Sequence, residues 1–163
     1  IMGTRCGTID PATVFYLSRE GGYTIDQIDT MMNKKSGLAG ITGGKSDMRD
    51  VEAGAEAGDE SCKLAIDMWS YRVASQFATM VQSMQGVDTI AFTAGVGENS
   101  AEMRAEVVKR LEWMGIKIDD AKNAVRSGDP RDVSAADSKV RVLVVPTNEE
   151  LMIALDVKEL LGK

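Results

Sequence analysis

Gly95-Val96-Gly97-Glu98-Asn99 places two glycines two apart, directly before an acid and an amide. Glycines at that spacing let a backbone turn sharply and let a ligand approach where a Cβ would clash. A helix starting after such a turn offers free N–H groups and a partial positive charge, which suit a phosphate. A tight turn that binds nothing has the same sequence, because a single G-x-G carries little information. On the ligand reading, a larger residue at Gly97 should block the approach and leave the fold intact. Gly44-Lys45-Ser46 resembles the end of a phosphate-binding P-loop, but Ala39 stands where that loop needs a glycine, and no strand precedes it. Lys45 therefore reads as a solvated loop residue. The chain has no histidine, which excludes a Ser-His-Asp triad or a histidine metal site built from it alone.

The elements that must hold the glycine turn are legible around it. Thr89–Thr93 is short, apolar and β-branched, as a buried strand should be. Asn99 is placed to N-cap a helix, with Glu102 three residues on and Met103, Val107, Leu111 and Met114 as its apolar stripe, ending at Gly115. Lys139–Val145 is a second strand. Its apolar residues on both faces predict a covered, parallel neighbour. A helix follows from about Glu149 to Leu161. If the two strands are neighbours, the Gly95–Asn99 and Thr147–Glu149 turns face one cleft at their carboxyl ends. Upstream, Asp10-Pro11 starts a helix to Arg19, and Thr24 with Gln27 forms a capping box for a second helix, ended by Gly37. Gly37–Gly44 reads as a link, Asp47–Asp50 as a helical turn, and Asp59–Gln85 as the longest helix, with an apolar stripe suited to core or interface. Ile116–Asp137 reads as loop with a short helix. The class is α/β, and two strands cannot make a covered sheet alone, so partner strands are expected from outside this chain.

The 163 residues suit one domain or part of a larger one, and the net charge of −6 with scattered basic residues argues against nucleic acid. No apolar run is long enough for a transmembrane helix, so no membrane partner is expected. Cys6 and Cys62 fit no metal spacing. Ten methionines against two cysteines suggest a reducing, cytoplasmic setting. Ile1-Met2 at the start, with no leader pattern, suggests a cut rather than a natural terminus.

Four signatures then stand in order: Met2-Gly3-Thr4-Arg5-Cys6-Gly7 with Asp10-Pro11; Ser46-Asp47-Met48-Arg49-Asp50; Phe92 to Ser100, FTAGVGENS; and Pro146-Thr147-Asn148-Glu149-Glu150-Leu151. In that order and spacing they resemble the carboxy-terminal part of the acetate and propionate kinase family, over essentially the whole chain. The resemblance implies a βαβα unit plus preceding helices. These would form part of a ribonuclease H-like domain of the actin, Hsp70 and sugar kinase superfamily, completed by a missing amino-terminal half. It implies transfer of the γ-phosphoryl of ATP to acetate or propionate, or the reverse with ADP, in a homodimer. Arg5 resembles the active-site arginine, where a planar guanidinium can bind two oxygens of the transferring group. Asp47, Met48 and Arg49 resemble the adenosine-pocket segment. Gly95, Val96, Gly97, Glu98 and Asn99 resemble the nucleotide loop. Glu149 resembles the acid that positions Mg2+, usually through water, with Glu150 the lesser candidate. The family's catalytic histidine, substrate arginine and magnesium aspartate lie before the first residue, so this chain alone is expected to be inactive and to pair through exposed strand edges. A nucleotide-holding module without catalysis is the alternative, and Arg5 discriminates, because a mere holder has no use for it.

Overall fold

The computed structural model describes residues 1–162, and contacts divide the chain into two compact units, Ile1–Phe77 and the part from Ala78 on. In the first unit, α1 (Ala12–Arg19) starts where Asp10 accepts from the Ala12 amide at 2.9 Å. α2 (Ile25–Lys34) begins on the expected capping box: Thr24 accepts from the Gln27 amide at 3.3 Å, and Gln27 Oε1 accepts from the Thr24 amide at 2.8 Å.

Gly37 does not simply end α2. It opens α3 (Gly37–Thr42), so the supposed link is a helix. The reason lies upstream, where the amides of Leu38 and Ala39 donate to Met2 and Gly3 carbonyls at 2.8 and 2.9 Å. The first residues thus cap α3. A Cβ on Gly37 would stand 2.1 Å from the Met2 carbonyl oxygen, and its φ of +60° is one that residues with a side chain rarely adopt. α4 (Met48–Glu56) is capped by Asp47 and α5 (Glu60–Met84) by Asp59. The α5 stripe is buried only at Cys62 and Ile66, beside Ala65, Ser70 and Ala74, whereas Met80 and Met84 are exposed.

In the second unit, β1 (Thr89–Phe92) and β3 (Arg141–Val144) pair in parallel, Thr89 opposite Arg141 and Phe92 opposite Val144. A third strand comes from within the chain. β2 (Arg131–Asp132) runs antiparallel on the other side of β3, giving the order β1-β3-β2. Its two residues fall in the segment read as loop and are too few to show any alternation. Val140, Val142 and Val144 are buried, together with Ile90 of β1 and with Met103, Val107, Val108 and Leu111. Of that helical stripe, α7 (Ala101–Lys109) holds the first part and a 3-10 turn, Glu112–Met114, the last. α8 (Asp120–Ala124) is the expected short helix. α9 (Glu149–Leu160) follows β3 and buries none of its side chains. Among the described residues no helix is long and apolar enough to cross a membrane.

Candidate functional site

The carboxyl ends of β1 and β3 carry the two turns that the sequence places in one cleft, and they do converge. Ala94, Gly95, Glu98, Thr147, Asn148, Glu149 and Glu150 line one cavity of about 330 Å³. The glycine stretch itself is not a loop. It is a six-residue helix, α6 (Ala94–Asn99), and the cap of the next helix is Ser100, which accepts from the Met103 amide at 3.0 Å. Asn99 instead ends α6 and turns its amide back to the Gly95 carbonyl at 2.9 Å. The sharp turn is made by neither glycine: Ala94 has φ +59°, and both glycines are helical.

The two glycines face different ways. A Cβ on Gly97 would stand 3.3 Å from the Phe92 carbonyl carbon, whereas at Gly95 nothing lies within 4 Å. Gly97 therefore serves the close packing of α6 on β1, contrary to the expectation that it clears a path for a ligand. Gly95 faces open space at the cavity.

Glu98 binds across the sheet end. Its Oε1 accepts from the Thr147 amide at 2.7 Å and from the Thr147 hydroxyl at 2.8 Å. These bonds from Thr147 hold its carboxyl below the usual carboxylate range, with help from the positive charge of Arg131. The Thr147 proton goes to Glu98, so the Thr93 hydroxyl, 2.5 Å away, must donate to Thr147, as the Ala94 amide does at 3.0 Å. Thr93 spends its hydroxyl there and leaves α6 without a side-chain cap. On β3, Pro146 has no N–H, so the strand ladder closes with Val145 N donating to Phe92 O at 2.8 Å.

Arg104 is the residue that sequence reasoning missed. It is 2 % exposed, and its Nη1 donates to the carbonyls of Gly97 and Glu98 at 2.9 and 3.0 Å, closing the end of α6. Its Nε and Nη2 donate to the side chain and backbone of Asn123 at 2.7 and 2.8 Å. Desolvation, then the charge of Arg131, lowers its pKa from the ordinary value. The signal was its spacing: Arg104, Val108 and Leu111 share one helical face.

Glu149 and Glu150 are exposed in the first turn of α9, where the helix dipole favours carboxylates, and Asn148 caps it by accepting from the Leu151 amide at 3.1 Å. Three carboxylates line the cavity, so bare phosphate would be repelled there, and a phosphate accompanied by a cation would not. Among the described residues no group of three or more His, Cys, Asp or Glu could hold a metal ion. One or two carboxylates fit magnesium, which keeps waters and takes phosphate oxygens for the rest of its shell.

The other expected site residues lie in the first unit. Arg5 is exposed on the segment stitched to the α2–α3 junction, where Cys6 N donates to Met32 O at 2.7 Å and Ser36 N to Thr4 O at 2.9 Å. Asp47 and Arg49 grip each other through two contacts, Nε to Oδ1 at 3.0 Å and Nη2 to Oδ2 at 2.6 Å. That pairing, with the Arg49 amide, lowers the Asp47 carboxyl to about 2. Met48 is buried in the core, so it offers little surface to a ligand. Lys45 is not simply solvated, because its ammonium pairs with Asp59 at 3.0 Å, and this raises its pKa.

The sequence profile of the acetokinase family matches residues 1–155. The acetate kinase of Fervidobacterium nodosum is 52 % identical over all of this chain, which spans 40 % of that relative's length. The crystal structure of Porphyromonas gingivalis acetate kinase superimposes with a TM-score of 0.88 at 40 % identity, covering 99 % of this chain and 40 % of the other. A propionate kinase from Francisella tularensis superimposes with a TM-score of 0.86 at 40 % identity, covering 94 % and 39 %. The α/β fold, with its small partial sheet, is that of the corresponding part of these kinases.

Proposed function

The chain belongs to the acetokinase family, and from that premise we propose that it supplies the nucleotide side of an enzyme moving a phosphoryl group between ATP and acetate or propionate. The observation that carries this reading is the acidic cavity at the ends of two parallel strands, floored by an unobstructed Gly95 and rimmed by Glu149. Ligands of open α/β sheets collect at such strand ends. Gly95 admits the nucleotide, with Val96, Gly97, Glu98 and Asn99 framing that wall. Asp47, Met48 and Arg49 contribute to the adenosine pocket, where the forked Asp47–Arg49 pair presents a polar surface. Glu149 would hold Mg2+, which would supply charge neutralisation at the phosphate oxygens. Arg5, exposed and in no ion pair among the described residues, is available to reach the equatorial oxygens of the transferring group.

Phosphoryl transfer relies on holding donor and acceptor in line, so these residues act by positioning and charge, with no covalent intermediate required of them. The carboxylate pocket and the remaining catalytic groups belong to the rest of a longer protein. A homodimer in the cytoplasm is the assembly that goes with this function.

The test is acyl phosphate formation by the full-length protein with ATP, Mg2+ and acetate. Arg5→Ala should lower kcat by roughly 10³–10⁵ with ATP binding nearly kept. Glu149→Gln should move the magnesium dependence to higher concentration. ATP binding without turnover in the wild type would leave a nucleotide-holding module instead. An unshifted magnesium curve would remove Glu149 from the metal.

A further inference from the structure

We propose that Glu98 and Thr147 form a clasp that fixes the turn carrying Gly95 to the turn carrying Glu149, so that the nucleotide wall and the metal-side carboxylate move as one body. This rests on the reading of Gly95 and Glu149 given above. Glu98 is a positioning residue in it and acts through its bonds to Thr147.

Geometry supports the assignment from three directions. First, Thr147 is saturated: its hydroxyl donates to Glu98 and accepts from Thr93 and from the Ala94 amide, while its own amide donates to Glu98. Second, Glu98 is held at both ends. Its carbonyl is gripped by buried Arg104, itself anchored on Asn123, and its carboxylate reaches Thr147 across 49 positions of sequence. A half-exposed glutamate would otherwise sample several rotamers. Third, the clasp sits beyond the last ladder bond of the strands, where Pro146 has no N–H and Ala94 takes a φ of +59°. A residue with a Cβ enters that region only when its surroundings enforce it, and here the enforcing bond is Ala94 N to Thr147 Oγ1. These bonds stand at the cavity mouth among exposed residues, whereas a stitch for the core would be buried.

The experiment compares Thr147→Val, Thr147→Ser and wild type in the full-length protein. Valine keeps the shape and removes the hydroxyl, whereas serine restores it. Two quantities are read: amide hydrogen exchange at Ala94, and the half-saturating MgATP, carboxylate KM and kcat of acyl phosphate formation. With valine, exchange at Ala94 and half-saturating MgATP should each rise roughly 3- to 30-fold, the fold-change that loss of one or two hydrogen bonds implies. The carboxylate KM should stay unchanged, and serine should restore both quantities. Valine with wild-type MgATP saturation would overturn the clasp as a positioning device. So would equal loss of MgATP and carboxylate affinity, or a serine variant as poor as valine. If the wild type forms no acyl phosphate, the functional reading fails instead. Exchange at Ala94 then judges the clasp alone, and an unaltered rate in the valine variant overturns it.

Discussion

Gly95 and Gly97 look interchangeable in sequence, and the structure makes them opposites. Consider each replaced by alanine. At Gly97 the new Cβ lies 3.3 Å from the carbonyl carbon and 3.5 Å from the Cα of Phe92. Those atoms are strand backbone, pinned by the Val145 N to Phe92 O bond at 2.8 Å, so no flexible side chain can give way. Overpacking of this kind costs about 1–3 kcal/mol. Alanine regains about 1 kcal/mol over glycine within a helix. Gly97→Ala should therefore lose up to about 2 kcal/mol. At Gly95 nothing lies within 4 Å, so only the gain remains, about 0.5–1 kcal/mol of added stability. The same methyl group intrudes on the cavity and should weaken ATP binding. Urea unfolding of the full-length protein, with calorimetric titration of ATP, reads both quantities. A Gly97→Ala protein as stable as the Gly95→Ala protein would refute the packing argument, which sets about 1–3 kcal/mol between them. A Gly95→Ala protein with unchanged ATP affinity would remove that wall from the site.

Arg104→Met should cost about 3–5 kcal/mol in urea unfolding, because it strips the donors from the Gly97 and Glu98 carbonyls and from Asn123 in a buried setting. A loss below about 1 kcal/mol would show that water replaces those bonds freely. Asp132 is held at about 2, first by the Ser134 hydroxyl, then by the Ser134 amide and by Arg141. Its folded value lies below its unfolded one, so its stabilisation is complete above about pH 4 and fades as pH falls through about 2. Asp132→Asn should flatten stability against pH across that window, measured by denaturant midpoints. An unchanged slope would exclude Asp132 as its source.

Local signals survived the passage from sequence to structure where one residue type has one use. Thr24 with Gln27 announced the start of α2, and the valines of Lys139–Val145 announced a covered parallel strand. The convergence of two turns on one cavity followed from that pairing. Tertiary context decided the rest. Gly37 begins a helix because Met2 and Gly3 supply carbonyls from far upstream, which no local window contains. Gly95–Asn99 is helical because Thr147 and Arg104 hold its two ends, overriding the weak helix propensity of glycine. β2 is too short to carry a period, and the partner that buries Arg104, Asn123, stands 19 positions on, outside any local window.

The clasp also bears on how the molecule comes apart. Thr93 and Thr147 stand 54 positions apart, and closing a loop of that size costs roughly 3.5 kcal/mol of chain entropy. That cost falls on the pairing of β1 with β3, after which the hydroxyl and carboxylate bonds need only local ordering. On that ordering the mouth of the cavity assembles after the sheet and is released before it. Weakening it hastens unfolding while the refolding rate stays as it was. A molecule seated across both turns does the reverse: it prolongs the lifetime of the native state without speeding its formation.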